Sequence, residues 1–240
     1  MFRTLIWMLY FCWYLIYSLR LRPKVARLER KGMLAERDEL AHKEAMRWGF
    51  KVINFAKIKV TVIGEENIPK DKGVLFVGNH QSNLDIPIIM GFINKPKGFI
   101  AKVELAKIPI LSKWMKYLGC VFIDRSDVRQ SLLAINQGAE NLKKGISMVI
   151  FPEGTRSKDG ILGDFKPGSL KLAIKAGAPV IPVTLNGSVN ILPKKGFIIR
   201  PTEVKIIISP PVVLEKALQK DSNALAEAVR NIIQENLKNY

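Results

Sequence analysis

From about Lys57 to the end of the chain, short apolar β-rich runs alternate with helical stretches. That alternation constrains the fold more than any other feature. Val74–Val77, Phe99–Ala101, Cys120–Ile123, Met148–Phe151, Val180–Val183 and Val204–Ile208 read as strands. Arg129–Lys143, Ser169–Ala176 and Ser222–Leu237 read as helices. Strands and helices in such succession predict an α/β domain with a mixed, largely parallel central sheet flanked by helices. With 240 residues, 48% of them hydrophobic, the chain can bury a sizeable core, and disorder is excluded.

The first 57 residues read differently. Thr4 to Leu19 is an uncharged run rich in Leu, Ile, Trp and Tyr. Sixteen residues of helix reach about 24 Å, short of a hydrocarbon core about 30 Å thick. Trp7, Tyr10, Tyr14 and Tyr17 fall on one helical face and Trp13 on another, rings suited to the headgroup boundary. Arg20, Arg22, Lys24, Arg27, Arg30 and Lys31 follow, a basic cluster suited to an anionic leaflet. Arg20-Leu21-Arg22-Pro23 is a poor signal-peptide cleavage site. Shallow insertion into one leaflet is favoured over a full span, and a helix buried in the core is the alternative. Beyond Pro23 a second, longer helix is expected to end near Lys57, with Ala41, Ala45, Trp48, Val52 and Phe55 as its apolar stripe. Residues 1–57 are thus expected to be a two-helix membrane-association motif, and 58–240 the catalytic domain.

The formal net charge of +17 points to anionic partners: nucleic acid, a membrane surface or phosphorylated substrates. No nucleic-acid motif accompanies it, which argues against nucleic acid. Two cysteines and two histidines offer no metal-ligand spacing, so no metal site is expected.

The chemistry is expected where strands end. Directly after Val74–Val77 comes Gly78-Asn79-His80-Gln81-Ser82-Asn83-Leu84-Asp85. Residues five apart do not share a helical face, so His80 and Asp85 should not both lie within one helix. With Ser82 as N-cap and Asp85 three positions on, a capping-box pattern, His80 would precede the helix and fold back to the carboxylate. That carboxylate would set the imidazole tautomer while the other ring nitrogen faces a hydroxyl. Gly119-Cys120-Val121-Phe122-Ile123-Asp124-Arg125 delivers a base at a strand end, and Phe151-Pro152-Glu153-Gly154-Thr155-Arg156-Ser157 is a strand running into a turn. There Gly154 can take positive φ, and Arg156 offers a fork suited to phosphate oxygens. Arg125 as a plain surface charge, and Glu153 with Arg156 as an internal ion pair, are the alternatives.

Together these stretches resemble the glycerolipid acyltransferases, specifically the 1-acylglycerol-3-phosphate acyltransferases. Asn79, His80 and Asp85 match the family's first motif, Gly119, Phe122 and Arg125 its second, and Phe151 to Ser157 its third at every position. Val180-Ile181-Pro182-Val183 looks like the fourth. The resemblance covers about residues 60–210. It implies His80 as general base and Asp85 as its orienting partner. It also implies an acceptor phosphate site made by Arg125, Glu153, Gly154, Thr155 and Arg156, with Lys102 as a further phosphate contact. The implied reaction moves an acyl group from acyl-CoA or acyl carrier protein to lysophosphatidic acid, without metal or redox cofactor. The expected setting is an anionic membrane, on the cytoplasmic face of the inner membrane. Acylation of glycerol 3-phosphate or another lysolipid, and non-enzymatic lipid binding, are the competing expectations.

Overall fold

A computed structural model describes residues 2–157, 160–192, 198–212 and 221–240. Three helices come first: α1 (Phe2–Ser18), α2 (Arg22–Arg30) and α3 (Leu34–Phe55). Then follow β1 (Lys59–Ile63), β2 (Leu75–Gly78), α4 (Asp85–Phe92), β3 (Lys97–Lys102), α5 (Pro109–Tyr117), β4 (Val121–Ile123), α6 (Val128–Lys143) and β5 (Ser147–Ile150). The remaining elements are α7 (Lys171–Ala176), β6 (Val180–Asn186), β7 (Glu203–Ile208) and α8 (Ser222–Asn239).

The seven strands form one sheet in the order β1-β7-β6-β2-β5-β3-β4. Every pairing is parallel except β6 with β7, so the mixed, largely parallel sheet expected from the sequence is present. Successive strand residues face opposite layers. Phe76, Val149 and Ile181 pack with α3 and α4 on one face. Leu75, Val77, Met148 and Val180 pack with α6, α7 and α8 on the other. The chain leaves β2 through α4 to reach β3, and leaves β5 through α7 to reach β6. A crevice therefore opens between the carboxyl ends of β2 and β5, the topological switch point where α/β sheets bind ligands.

Two expectations need correction. The chain does not break at Pro23 but runs helically from α1 through a tighter turn at Leu19–Leu21 into α2. Proline is tolerated there because it sits in the first turn of α2, where its missing N–H would have had no partner. The break comes at Gly32, whose φ of +69° lets Met33 N–H reach back to Leu28 O, a Schellman stop. The expected pair of helical segments is present, with its turn at Gly32 and not at Pro23. The strand Lys59–Ile63 was also not anticipated. It is an edge strand whose lysine and threonine side chains dilute its apolar signal.

Nor is the N-terminal part separate from the sheet. Val52, Ile53 and Ala56 of α3 are buried in the core beside Ile88 and Ile89 of α4. The two helices touch at Gly49 and Gly91, where a β-carbon on Gly91 would stand 2.4 Å from Phe50 N. Any side chain at Gly91 would push α4 off α3. On α1, Trp7 Nε1 donates to Val52 O at 2.8 Å, Tyr10 stacks on Phe55 at 4.1 Å and Tyr14 is buried. The aromatic face read as a headgroup belt therefore mostly meets α3. The opposite face, with Phe2, Leu5, Leu9, Trp13 and Ile16, is exposed.

Beneath α4, the fully buried Lys97 gives its ammonium to Ile93 O at 2.7 Å and Lys95 O at 3.1 Å. Burial pulls its pKa down from 10.5 to about 7. Carbonyls at a helix C-terminus favour the charged form, so the contact pins the end of α4 opposite the site.

Candidate active site

β2 ends at Gly78, and Asn79 then closes the strand end. Its amide donates to Leu185 O at 2.9 Å and accepts from Leu185 N–H at 2.8 Å, continuing the ladder to β6 by side chain. His80 follows, before the helix. Its Nδ1 lies 2.8 Å from Asp85 Oδ2. The same oxygen accepts from Gln81 N–H and Ser82 N–H, each at 2.7 Å. Ser82 Oγ in turn accepts from Leu84 N–H at 3.3 Å, but the helix starts at Asp85 with Leu84 as its N-cap, two residues beyond the expected Ser82, so only the Asp85 half of the capping box, its bond from Ser82 N–H, is formed.

Asp85 is completely buried while the His80 side chain keeps 17% exposure. A carboxylate accepting from Nδ1–H fixes the tautomer with Nε2 unprotonated, the form a base requires. The imidazole face also stacks on Phe151, ring centres 4.3 Å apart, which holds its plane.

Glu153 does something the sequence did not suggest. It is buried, and its Oε1 accepts the His80 backbone N–H at 2.7 Å. Its Oε2 accepts from the Ser157 hydroxyl at 2.6 Å and Gly163 N–H at 3.0 Å. Ser157 N–H returns a bond to His80 O at 2.6 Å. The carboxylate therefore ties the β5 turn to the β2 turn. Its carboxylate is spent on these bonds and is not among the side chains that line the cavity.

The other expected residues converge. Lys102, Arg125, Gly154, Thr155 and Arg156 line one cavity together with His80. Gly154 takes φ +73° and its carbonyl accepts from the Arg125 guanidinium. Burial depresses the Arg125 pKa and Glu104 opposes that shift; the group stays charged. Lys102 is held by Glu104 at 2.5 Å.

The cavity measures about 580 Å³ and runs from this cationic rim past His80 between α1, α3, α4 and α5. Its wall there is apolar: Phe11, Leu15, Ala45, Trp48, Met90, Leu111, Met115 and Leu118. Toward α1 and α3 it turns polar at Ser18 and Glu44, the latter paired with Arg20 at 3.1 Å. Ala45 and Trp48 stood out in the sequence only as an apolar stripe; that the wall is shared among four helices is not legible there.

Two other groups are excluded as catalysts. Cys120 lines the cavity, but burial pushes its thiol up to about 12, leaving no thiolate nucleophile. His42 is buried, and desolvation with the nearby Lys97 charge lowers it to about 4; it does not line the cavity. Among the described residues no cluster of His, Cys, Asp or Glu could hold a metal ion.

An imidazole oriented by a carboxylate, flanked by cations on one side and an apolar cavity on the other, suits acyl transfer to a phosphorylated acceptor. Residues 59–186 match the family model described as Acyltransferase. The chain belongs to this acyltransferase family. It is 32% identical over 183 residues to the 1-acyl-sn-glycerol-3-phosphate acyltransferase of Borreliella burgdorferi, covering 76% of this chain and 73% of that one. A chloroplastic 1-acyl-sn-glycerol-3-phosphate acyltransferase of Brassica napus is 38% identical over 75% of this chain, which spans 51% of that longer protein. The crystal structure of the 1-acyl-sn-glycerophosphate (LPA) acyltransferase of Thermotoga maritima superposes with a TM-score of 0.81 at 33% identity, covering 99% of this acyltransferase and 96% of that chain. The likeness therefore includes the N-terminal helices.

Proposed function

We propose that the protein transfers an acyl group from a thioester, acyl-CoA or acyl carrier protein, to the sn-2 hydroxyl of 1-acyl-glycerol 3-phosphate, giving phosphatidic acid. One observation carries this reading: a single cavity joins Arg125 and Arg156, the His80–Asp85 pair and a long apolar arm. The phosphate rests among the cations, and the thioester acyl chain lies in the apolar arm. His80 Nε2 takes the acceptor hydroxyl proton as its oxygen attacks the thioester carbon. The tetrahedral intermediate collapses, the C–S bond breaks, and the imidazolium returns the proton to the departing thiolate. General base catalysis supplies about 10²–10⁴-fold, and holding the two substrates together supplies more. No metal or redox group is needed.

The test is a mass-spectrometric assay with lysophosphatidic acid and mixed acyl-CoA donors. Phosphatidic acid is the expected product. Equal transfer to monoacylglycerol, which lacks the phosphate, would sink the role of Arg125 and Arg156. In the same assay Ala45→Trp should shift the preferred donor to chains shorter by several carbons, because an indole would fill the apolar arm at α3. An unchanged donor profile would place the acyl chain elsewhere.

The exposed face of α1 is proposed to lie in an anionic leaflet, with Arg22, Lys24, Arg27, Arg30 and Lys31 of the following segment exposed beside it. The stretch Phe2–Arg30 is long and apolar enough to cross a membrane by length and composition. Since Trp7, Tyr10 and Tyr14 are engaged by α3, shallow insertion at the cytoplasmic face of the inner membrane fits better than a span. Leu5→Asp with Leu9→Asp touches only exposed positions. It should abolish co-flotation with anionic vesicles and leave the melting temperature within a few degrees. Undiminished flotation would move the attachment surface off α1.

A further inference from the structure

Lys166 approaches the cationic rim from outside the cavity lining. A β-carbon placed on Gly154 would stand 3.2 Å from Lys166 Nζ and 3.7 Å from an Arg125 guanidinium nitrogen, so the two cations lie within about 7 Å of each other. Like charges this close repel, and an anion between them relieves that repulsion. The approach is built rather than incidental. Lys166 N–H donates to Pro152 O at 3.1 Å, and Gly163 N–H is held by Glu153. The neighbouring Phe165 and Leu162 are buried and anchor the segment. Gly154 itself lines the cavity, and the ammonium stands beside the place a side chain would take there.

We propose that Lys166 is a further phosphate-binding residue, whose ammonium closes over Gly154 onto the phosphomonoester of the acceptor beside Arg125 and Arg156. A phosphomonoester carries a charge of about −1.5 to −2 near neutral pH and three strong acceptor oxygens. Arg125 already spends one N–H on Gly154 O, and a lysine beside it adds three rotatable donors for the phosphate oxygens. The assignment rests on the acyl-transfer reading above.

Steady-state kinetics of the full chain in lipid micelles test it. Lysophosphatidic acid is varied at saturating acyl-CoA, and acyl-CoA at saturating acceptor. Lys166→Ala should raise the KM for lysophosphatidic acid about tenfold to a hundredfold, the range of one charge-assisted hydrogen bond. The kcat and the KM for acyl-CoA should stay within about twofold, and Lys166→Arg should recover most of the acceptor affinity. Inorganic phosphate should inhibit the parent chain more strongly than Lys166→Ala. An unchanged acceptor KM overturns the assignment. So does a rise in the acyl-CoA KM in its place, which would put Lys166 on the donor's phosphates. If the parent chain acylates lysophosphatidic acid and Lys166→Ala behaves identically, this assignment alone falls. If the parent chain acylates no phosphorylated acceptor, both readings fall.

Discussion

His80→Ala should lower the acyl-transfer rate about a thousandfold or more and leave the fold intact. The loss follows from removing the only imidazole that lines the cavity, since general base catalysis supplies about 10²–10⁴-fold. Stability changes little. Asp85 Oδ2 keeps its bonds from Gln81 and Ser82 N–H, and the His80 backbone N–H remains available to Glu153. Initial rates with lysophosphatidic acid and acyl-CoA, alongside thermal unfolding, check both halves. A variant retaining a tenth of the parent rate would remove His80 from the chemistry.

Asp85 separates orientation from architecture through two substitutions. Asp85→Asn keeps the size and one acceptor oxygen for the backbone N–H groups of Gln81 and Ser82. Because those two N–H groups and His80 Nδ1 share one oxygen, Nδ1–H still meets an oxygen, but a neutral one, and the imidazolium that forms loses its charge partner. The rate should fall about tenfold to a thousandfold, the scale of losing an opposite charge beside the imidazolium, with little loss of stability. Asp85→Ala should be inactive and also less stable. It strands two buried N–H donors at about 1–3 kcal/mol each, and the melting temperature should drop by several degrees. If Asp85→Asn retains full activity, the carboxylate is a helix cap and nothing more.

The parts of the site that were legible in the sequence are those whose geometry is local. His80 and Asp85 lie five residues apart at the start of a helix, close enough along the chain for the imidazole to fold back to the carboxylate. Gly154 and Arg156 share a turn in the same way. The bracing role of Glu153 was not legible because its partners, His80 N–H and Gly163 N–H, come from other parts of the chain. Only the parallel pairing of β2 with β5 brings the two turns together. Lys166 escaped notice for the same reason, its place beside Arg125 being set by how its segment folds over the β5 turn. Among the elements, the central strands stood out as apolar runs because both of their faces are covered. The edge strand Lys59–Ile63 did not, because solvent permits polar side chains there.

By itself, then, the amino-acid order determined the alternating α/β class, the strand-end motifs, the dyad and an amphiphilic start to the chain. Tertiary structure alone decided which face of α1 stays exposed, where the helices break, which side chains wall the cavity and which carboxylate is scaffold. The physical reason is range. Backbone geometry and capping act over a few residues and can be read along the chain. Packing, desolvation and convergent charge depend on groups tens of residues apart, and exist only once the sheet has brought them together.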